Sequence, residues 1–208
     1  MRVMSLRTWA WIGVGIAAAT LLALVALRPA APTRSASNAE SSAPIGGAFQ
    51  LTDQNGRTVN QSLLQGKWSA VYFGYTYCPD VCPTTLQMLG AVDRSLGARQ
   101  KDFQVIFVTV DPARDTAAQL KLYLSNGVFP PGGIGLTGSP DQIAQIAGAY
   151  GVYYQKQGTG AGYTVNHSSA IYLMNPKGGF DSVIASDSTP ADAKAAILRA
   201  MAGGSAGA

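Results

Sequence analysis

The sequence predicts an α/β fold with a mixed central sheet flanked by helices, preceded by one N-terminal transmembrane helix. Three observations predict it. The runs WSAVYFGY (68 to 75) and FQVIFVTV (103 to 110) read as buried strands, each followed by a helical pattern. A strand pair and a helix end the ordered part of the chain, and an uncharged run opens it. Strands alternating with helices imply a sheet covered on both faces, which explains why the strands are apolar throughout instead of alternating.

The opening run, residues 8 to 27 (TWAWIGVGIAAATLLALVAL), has the length a helix needs to cross a hydrocarbon core of roughly 30 Å. Arg2 and Arg7 precede it, so residues 1 to 7 are expected in the cytoplasm and everything after Arg28 beyond the membrane, in the periplasm or extracytoplasmic space. A cleaved signal peptide is the competing reading, but its apolar core is usually about 7 to 15 residues long, and here Arg28-Pro29 stands where a small-residue cleavage site is needed. Residues 28 to 44, rich in Ala, Ser and Pro without apolar periodicity, form a flexible linker. Residues 45 to 203 have the size of one domain with its own core. The formal charge is +4, yet Arg2, Arg7 and Arg28 hold three of the 15 basic residues, leaving 12 against 11 acidic ones. Nucleic-acid binding is excluded on that balance.

Within the domain, LTDQNGRTV (51 to 59) is a hairpin. Gly66 leads into the first long strand, and Pro83 starts a helix carrying Leu86, Leu89, Val92 and Leu96 on one side. The second strand ends at Asp111-Pro112. A helix follows from about Asp115, capped by Asp115 or by Thr116 with Gln119 three residues on, and a further helix spans 141 to 150. SSAIYLMN (168 to 175) is a strand, NPKGG its turn, FDSVIA (180 to 185) its partner, and residues 190 to 201 a closing helix. With two cysteines where the first long strand meets its helix, this order is that of a thioredoxin-like fold.

Those two cysteines, Cys78 and Cys82 in YFGYTYCPDVCP, are the only ones in 208 residues. On a helical turn positions i and i+4 share a face, so the pair can close a disulfide. Reduced, two thiolates at close range select Cu(I) or Zn. Spacing alone leaves disulfide, redox pair and metal open. A structural disulfide closing so small a loop stabilises at the low end of about 2 to 4 kcal/mol, which favours a functional role. Asp80 lies between the thiols, and a carboxylate there raises a thiol pKa. A peroxidase is disfavoured because Tyr75 stands three residues before Cys78, where that chemistry uses Thr.

The single histidine, His167, stands just before the strand starting near Ser169, which a thioredoxin-like fold sets opposite the cysteine turn. Thioredoxins keep a docking proline there, and this chain has none between Pro140 and Pro176. Two thiolates with one imidazole suit Cu(I), whereas structural zinc takes four protein ligands.

YFGYTYCPDVCPTTL, VTVDPARDT and YTVNHSSAIYLMNPKG, in this order and spacing, resemble the SCO/SenC family of membrane-anchored thioredoxin-fold copper metallochaperones. The resemblance takes in essentially the whole domain. It implies binding of one copper by Cys78, Cys82 and His167, and delivery to the copper-bearing subunit of cytochrome c oxidase, with other copper chaperones or thiol-disulfide reductases as further partners. The alternative is a thiol-disulfide oxidoreductase using Cys78 and Cys82 as its redox pair. The chain departs from the family at Asn166, where an aspartate is common, and at Ala117, where proline is. Asp111 and Asp115 match acidic family positions. Tyr72, Tyr75 and Tyr77 are expected to pack in the sheet and at the rim. The glycosylation sequons at Asn60 and Asn166 read as chance.

Overall fold

The computed structural model describes residues 44–203. The expected membrane span at 8–27, the N-terminal residues 1–7 and the linker up to its last residue lie outside that range. Among the described residues no helix is long and apolar enough to cross a membrane.

The strands are β1 (Gln50–Asp53), β2 (Thr58–Asn60), β3 (Trp68–Gly74), β4 (Phe103–Thr109), β5 (Ile134–Thr137), β6 (Tyr154–Gln157), β7 (Thr164–His167), β8 (Ile171–Met174) and β9 (Phe180–Ile184). Seven of them form one sheet in the order β2, β1, β5, β4, β3, β8, β9, while β6 and β7 make a separate two-stranded sheet. β3 and β4 are parallel from Trp68 opposite Phe103 to Gly74 opposite Thr109, and β8 runs antiparallel to β3. The sheet is therefore mixed, and Ser69 to Gly74 are all buried, as a central strand covered on both faces requires.

The helices are α1 (Val81–Ser95), α2 (Ala117–Leu124), α3 (Pro140–Ala149) and α4 (Pro190–Met201). α1 packs against α4, α2 against β5 and α3 against β1. The stripe Leu86, Leu89, Val92 and Leu96 of the α1 region is buried, so burial of one apolar face drives this helix into place. Ser139 and Gln142 close a capping box on α3, and Thr189 caps α4 ahead of Pro190.

The structure refines three points. The strand foreseen at 168–175 shrinks to Ile171–Met174: Ser168 is taken up in closing the β6/β7 hairpin, its amide donating to Tyr153 O at 2.9 Å and its Oγ accepting from Tyr153 N at 3.1 Å. β5 and the β6/β7 pair were not foreseen. The cap of α2 is Thr116, whose hydroxyl accepts from the Gln119 amide at 3.2 Å, which frees Asp115 for a different task.

Candidate metal centre

The site lies past the carboxyl end of β3, the usual place for ligands in sheets with parallel strands. After Gly74 the chain turns through Cys78, whose amide donates to Tyr75 O at 3.2 Å, and enters α1 at Val81. Only Cys82 belongs to the helix, so the two cysteines do not share a helical turn. Cys78 sits ahead of the N-terminus, where free amides point outward; the Cys82 amide donates to its Sγ at 3.5 Å. Cys82 is fully buried. Its seat depends on Gly74, since a Cβ there would fall 2.8 Å from Cys82 Sγ and 2.8 Å from the Phe107 ring.

His167 arrives from the other sheet, as the last residue of β7. Its Nε2 is 3.5 Å from Cys82 Sγ and its Nδ1 2.8 Å from Ser168 O. Tyr75 meets the imidazole edge-on at 5.9 Å between centroids and Tyr72 at 6.4 Å. Both tyrosines are buried in the core, as expected, while Tyr77 is exposed at the rim. The Cys78 and Cys82 sulfurs and an imidazole nitrogen all lie within 4.8 Å of one another. All three predicted ligands are thus brought together. Soft sulfurs with one imidazole form a donor set for copper, and the carbonyl-bound Nδ1 matches the support that metal-binding imidazoles usually have.

The thiols are unequal. Hydrogen bonding from the Cys82 side chain, from the His167 ring and from the backbone amides of Asp80 and Cys82 holds the Cys78 thiol far below its ordinary value, against the opposing effect of burial. The Cys82 thiol is pushed up by the same shared proton and by burial. The metal-free pair therefore holds one thiolate, on Cys78, and one proton, on Cys82. Asp80 acts on Cys78 through its backbone amide, which stabilises the thiolate.

Behind the site runs the loop between β4 and α2. The Asp115 carboxylate, fully buried, accepts from Thr76 N at 2.9 Å, Thr76 Oγ1 at 2.6 Å and Thr109 Oγ1 at 2.7 Å. Arg114 pairs with Asp111, donates to Tyr163 O at 3.0 Å and lies 3.6 Å from the Tyr163 ring centroid. Tyr163 donates its hydroxyl to Asp111 at 2.6 Å. Arg114 and Tyr163 were missed in the sequence because 49 residues separate them; the DPARDT segment was the only pointer. Asn166 is exposed and, one residue from His167 on a strand, projects from the opposite face.

A family model described as SCO1/SenC matches residues 37–202. The mitochondrial SCO1 homolog 1 of Arabidopsis thaliana is 42% identical over 140 residues, covering 66% of this chain and 41% of that protein, so the chain spans less than half the length of this relative. The copper-bound structure of Bradyrhizobium japonicum ScoI superposes with a TM-score of 0.68 at 46% identity, covering 74% of this chain and 98% of that one. BsSco, described as carrying a disulfide switch and as a member of the Sco family of cytochrome c oxidase assembly proteins, matches with a TM-score of 0.59 at 25% identity over 76% of this chain and 94% of that one. With the thioredoxin-like α/β fold, the match over most of the length and the Cys-Cys-His cluster in place, the chain belongs to the SCO1/SenC family.

Proposed function

We propose that the chain holds one copper ion on Cys78, Cys82 and His167 and passes it to the copper-bearing subunit of cytochrome c oxidase. The observation that carries this is the convergence of two sulfurs and one imidazole nitrogen within 4.8 Å, at a site reached through the half-buried Cys78. The Cys78 thiolate is ready to bind, and Cys82 gives up its proton as copper is taken up. Release follows by ligand exchange: an incoming donor meets Cys78 first, because Cys82 is fully buried. Residues 8–27 tether the domain to the cytoplasmic membrane, with the copper site on the far side; the charge-free run behind Arg2 and Arg7 supports this placement.

Full-length protein in detergent, loaded anaerobically, tests the copper assignment. The reduced form is expected to retain one copper per chain and the form with Cys78 and Cys82 joined in a disulfide none, since a disulfide has no thiolate to offer. Equal loading of both forms rejects it. Membrane fractions washed with alkaline carbonate should keep the chain, and its release as a soluble species starting after Arg28 rejects the tether.

A second reading is favoured by the Cys78 thiolate, held at a helix N-terminus beside a second thiol. The same pair exchanges disulfides with partner cysteines, Cys78 attacking and Cys82 resolving.

A further inference from the structure

We propose that Arg114 is a positioning residue for His167: its guanidinium locks the β6/β7 hairpin to the loop that also holds the cysteine segment, and so fixes where the imidazole stands relative to the two sulfurs. This rests on the copper reading of the site.

The need for such a lock follows from topology. Cys78 and Cys82 depend on β3 and α1, inside the seven-stranded sheet, whereas His167 ends a hairpin that belongs to another sheet. Among the described residues no β-ladder joins the two; the backbone connects them through the short link from His167 to Ile171 of β8, and side chains add to that link in setting the distance between imidazole and thiols. The loop from Asp111 to Thr116 touches both. On the cysteine side, Asp115 holds the amide and hydroxyl of Thr76, two residues before Cys78. On the hairpin side, Arg114 donates to the carbonyls of Tyr163 and, at 3.5 Å, Ala161, and stacks on the Tyr163 ring. Asp111 holds Arg114 and the Tyr163 hydroxyl together. Arg114 also lies 5.7 Å from the ring centroid of Tyr75 and 4.7 Å from that of Tyr77, so it spans from the hairpin to the strand end leading into Cys78.

The chemistry calls for arginine. Its side chain is only 15% exposed, and a buried cation is stable only when paired and hydrogen-bonded. One flat guanidinium can face a carboxylate, a carbonyl and an aromatic ring at once, which a point-charge ammonium cannot. Tyr163 lies two residues before Val165, the buried residue of β7, and four before His167, so pinning it fixes the start of the strand that delivers the imidazole.

The test uses full-length Arg114→Lys, which keeps the charge, and Tyr163→Phe, which removes only the hydroxyl bonded to Asp111. Both are expected to keep two sulfur ligands, seen as sulfur-to-copper charge transfer, while the nitrogen hyperfine coupling in the Cu(II) spectrum weakens. Copper affinity in chelator competition should fall for Arg114→Lys by about 10- to 100-fold, as when a ligand loses its hydrogen-bonded support, and by less for Tyr163→Phe. Thiol-disulfide exchange at Cys78 should stay at the wild-type rate. In the metal-free chains, the His167 Nδ1 proton should exchange with solvent faster than in wild type. Native nitrogen coupling and affinity in both variants overturn the proposal, and so does a matching loss of thiol exchange, which marks a general structural defect. If Arg114→Lys fails to fold, Tyr163→Phe decides. Should wild type bind no copper, the copper reading falls, and the Nδ1 proton exchange alone decides whether Arg114 positions the imidazole.

Discussion

His167 Nδ1 lies 2.8 Å from the carbonyl oxygen of Ser168. A carbonyl can only accept, so Nδ1 carries a proton, and in the neutral ring the lone pair is left on Nε2. That lone pair faces Cys82 Sγ at 3.5 Å. The residue next to it in sequence thus selects the tautomer that can offer Nε2 to a metal.

His167→Ala therefore separates the two chemistries of the site. Copper binding by three ligands is lost, with a fall in affinity beyond the roughly 10- to 100-fold that follows loss of a ligand's hydrogen-bonded support, and oxidase assembly in cells fails. Disulfide exchange at Cys78 and Cys82 survives, while Cys→Ser at either position removes both activities. Complementation of a deletion strain, read beside an exchange assay on the same variant, checks this; full complementation by His167→Ala rejects the copper carrier.

Copper affinity should rise with pH. The Cys82 thiol is pushed up by sharing a proton with Cys78 and by burial, so it enters the neutral range protonated and must release that proton to bind metal. Fewer protons in solution favour the release, so apparent affinity increases about tenfold per pH unit for each proton expelled. Competition with a Cu(I) chelator at about pH 6, 7 and 8, corrected for the chelator's own titration, gives the slope. A flat profile means that both sulfurs are already ionised.

Gly74→Ala should damage fold and site together. Its Cβ would stand 2.8 Å from both Cys82 Sγ and the Phe107 ring, two side chains that are themselves buried in the core. Overpacking of this kind typically costs about 1 to 3 kcal/mol. Urea unfolding measures it, and an unchanged midpoint with unchanged copper affinity shows that the contact relaxes freely.

Asn166→Asp should change copper affinity little. The family commonly has an aspartate at this position, but residue 166 is exposed and projects from the other face of β7. A carboxylate in water is screened, and the support of Nδ1 already comes from Ser168. A gain of tenfold or more in chelator competition contradicts this.

The ligands were legible because each residue type is so scarce: with two cysteines and one histidine in the chain, chemistry alone selects them. β3, β4 and the buried stripe of α1 were equally plain, since long apolar runs and helical spacing report burial directly. β6 was hidden because Tyr154–Gln157 reads YQKQ, a polar strand with no sheet face to bury. The placement of Cys78 outside the helix turned on local turn geometry at Tyr75, which i and i+4 spacing does not encode. Asp115 looked like a cap because an acid near a helix start usually is one; only the fold reveals that Thr76, 39 residues away, needs its oxygens.

The division into two sheets has a bearing on release. A donor built wholly into a seven-stranded ladder could be withdrawn only by unzipping backbone pairs, and local opening would then cost nearly as much as unfolding. Here, among the described residues, β7 pairs only with β6, from Tyr154 opposite His167 to Gln157 opposite Thr164, so displacing the hairpin would break no rung of the seven-stranded ladder. What resists such a displacement is the burial of Val165, the grip on Tyr163 and the short backbone link from His167 to β8. The residence time of the cargo is thereby placed under the control of a few side chains, and can be adjusted by substitution without touching either the ligands or the scaffold.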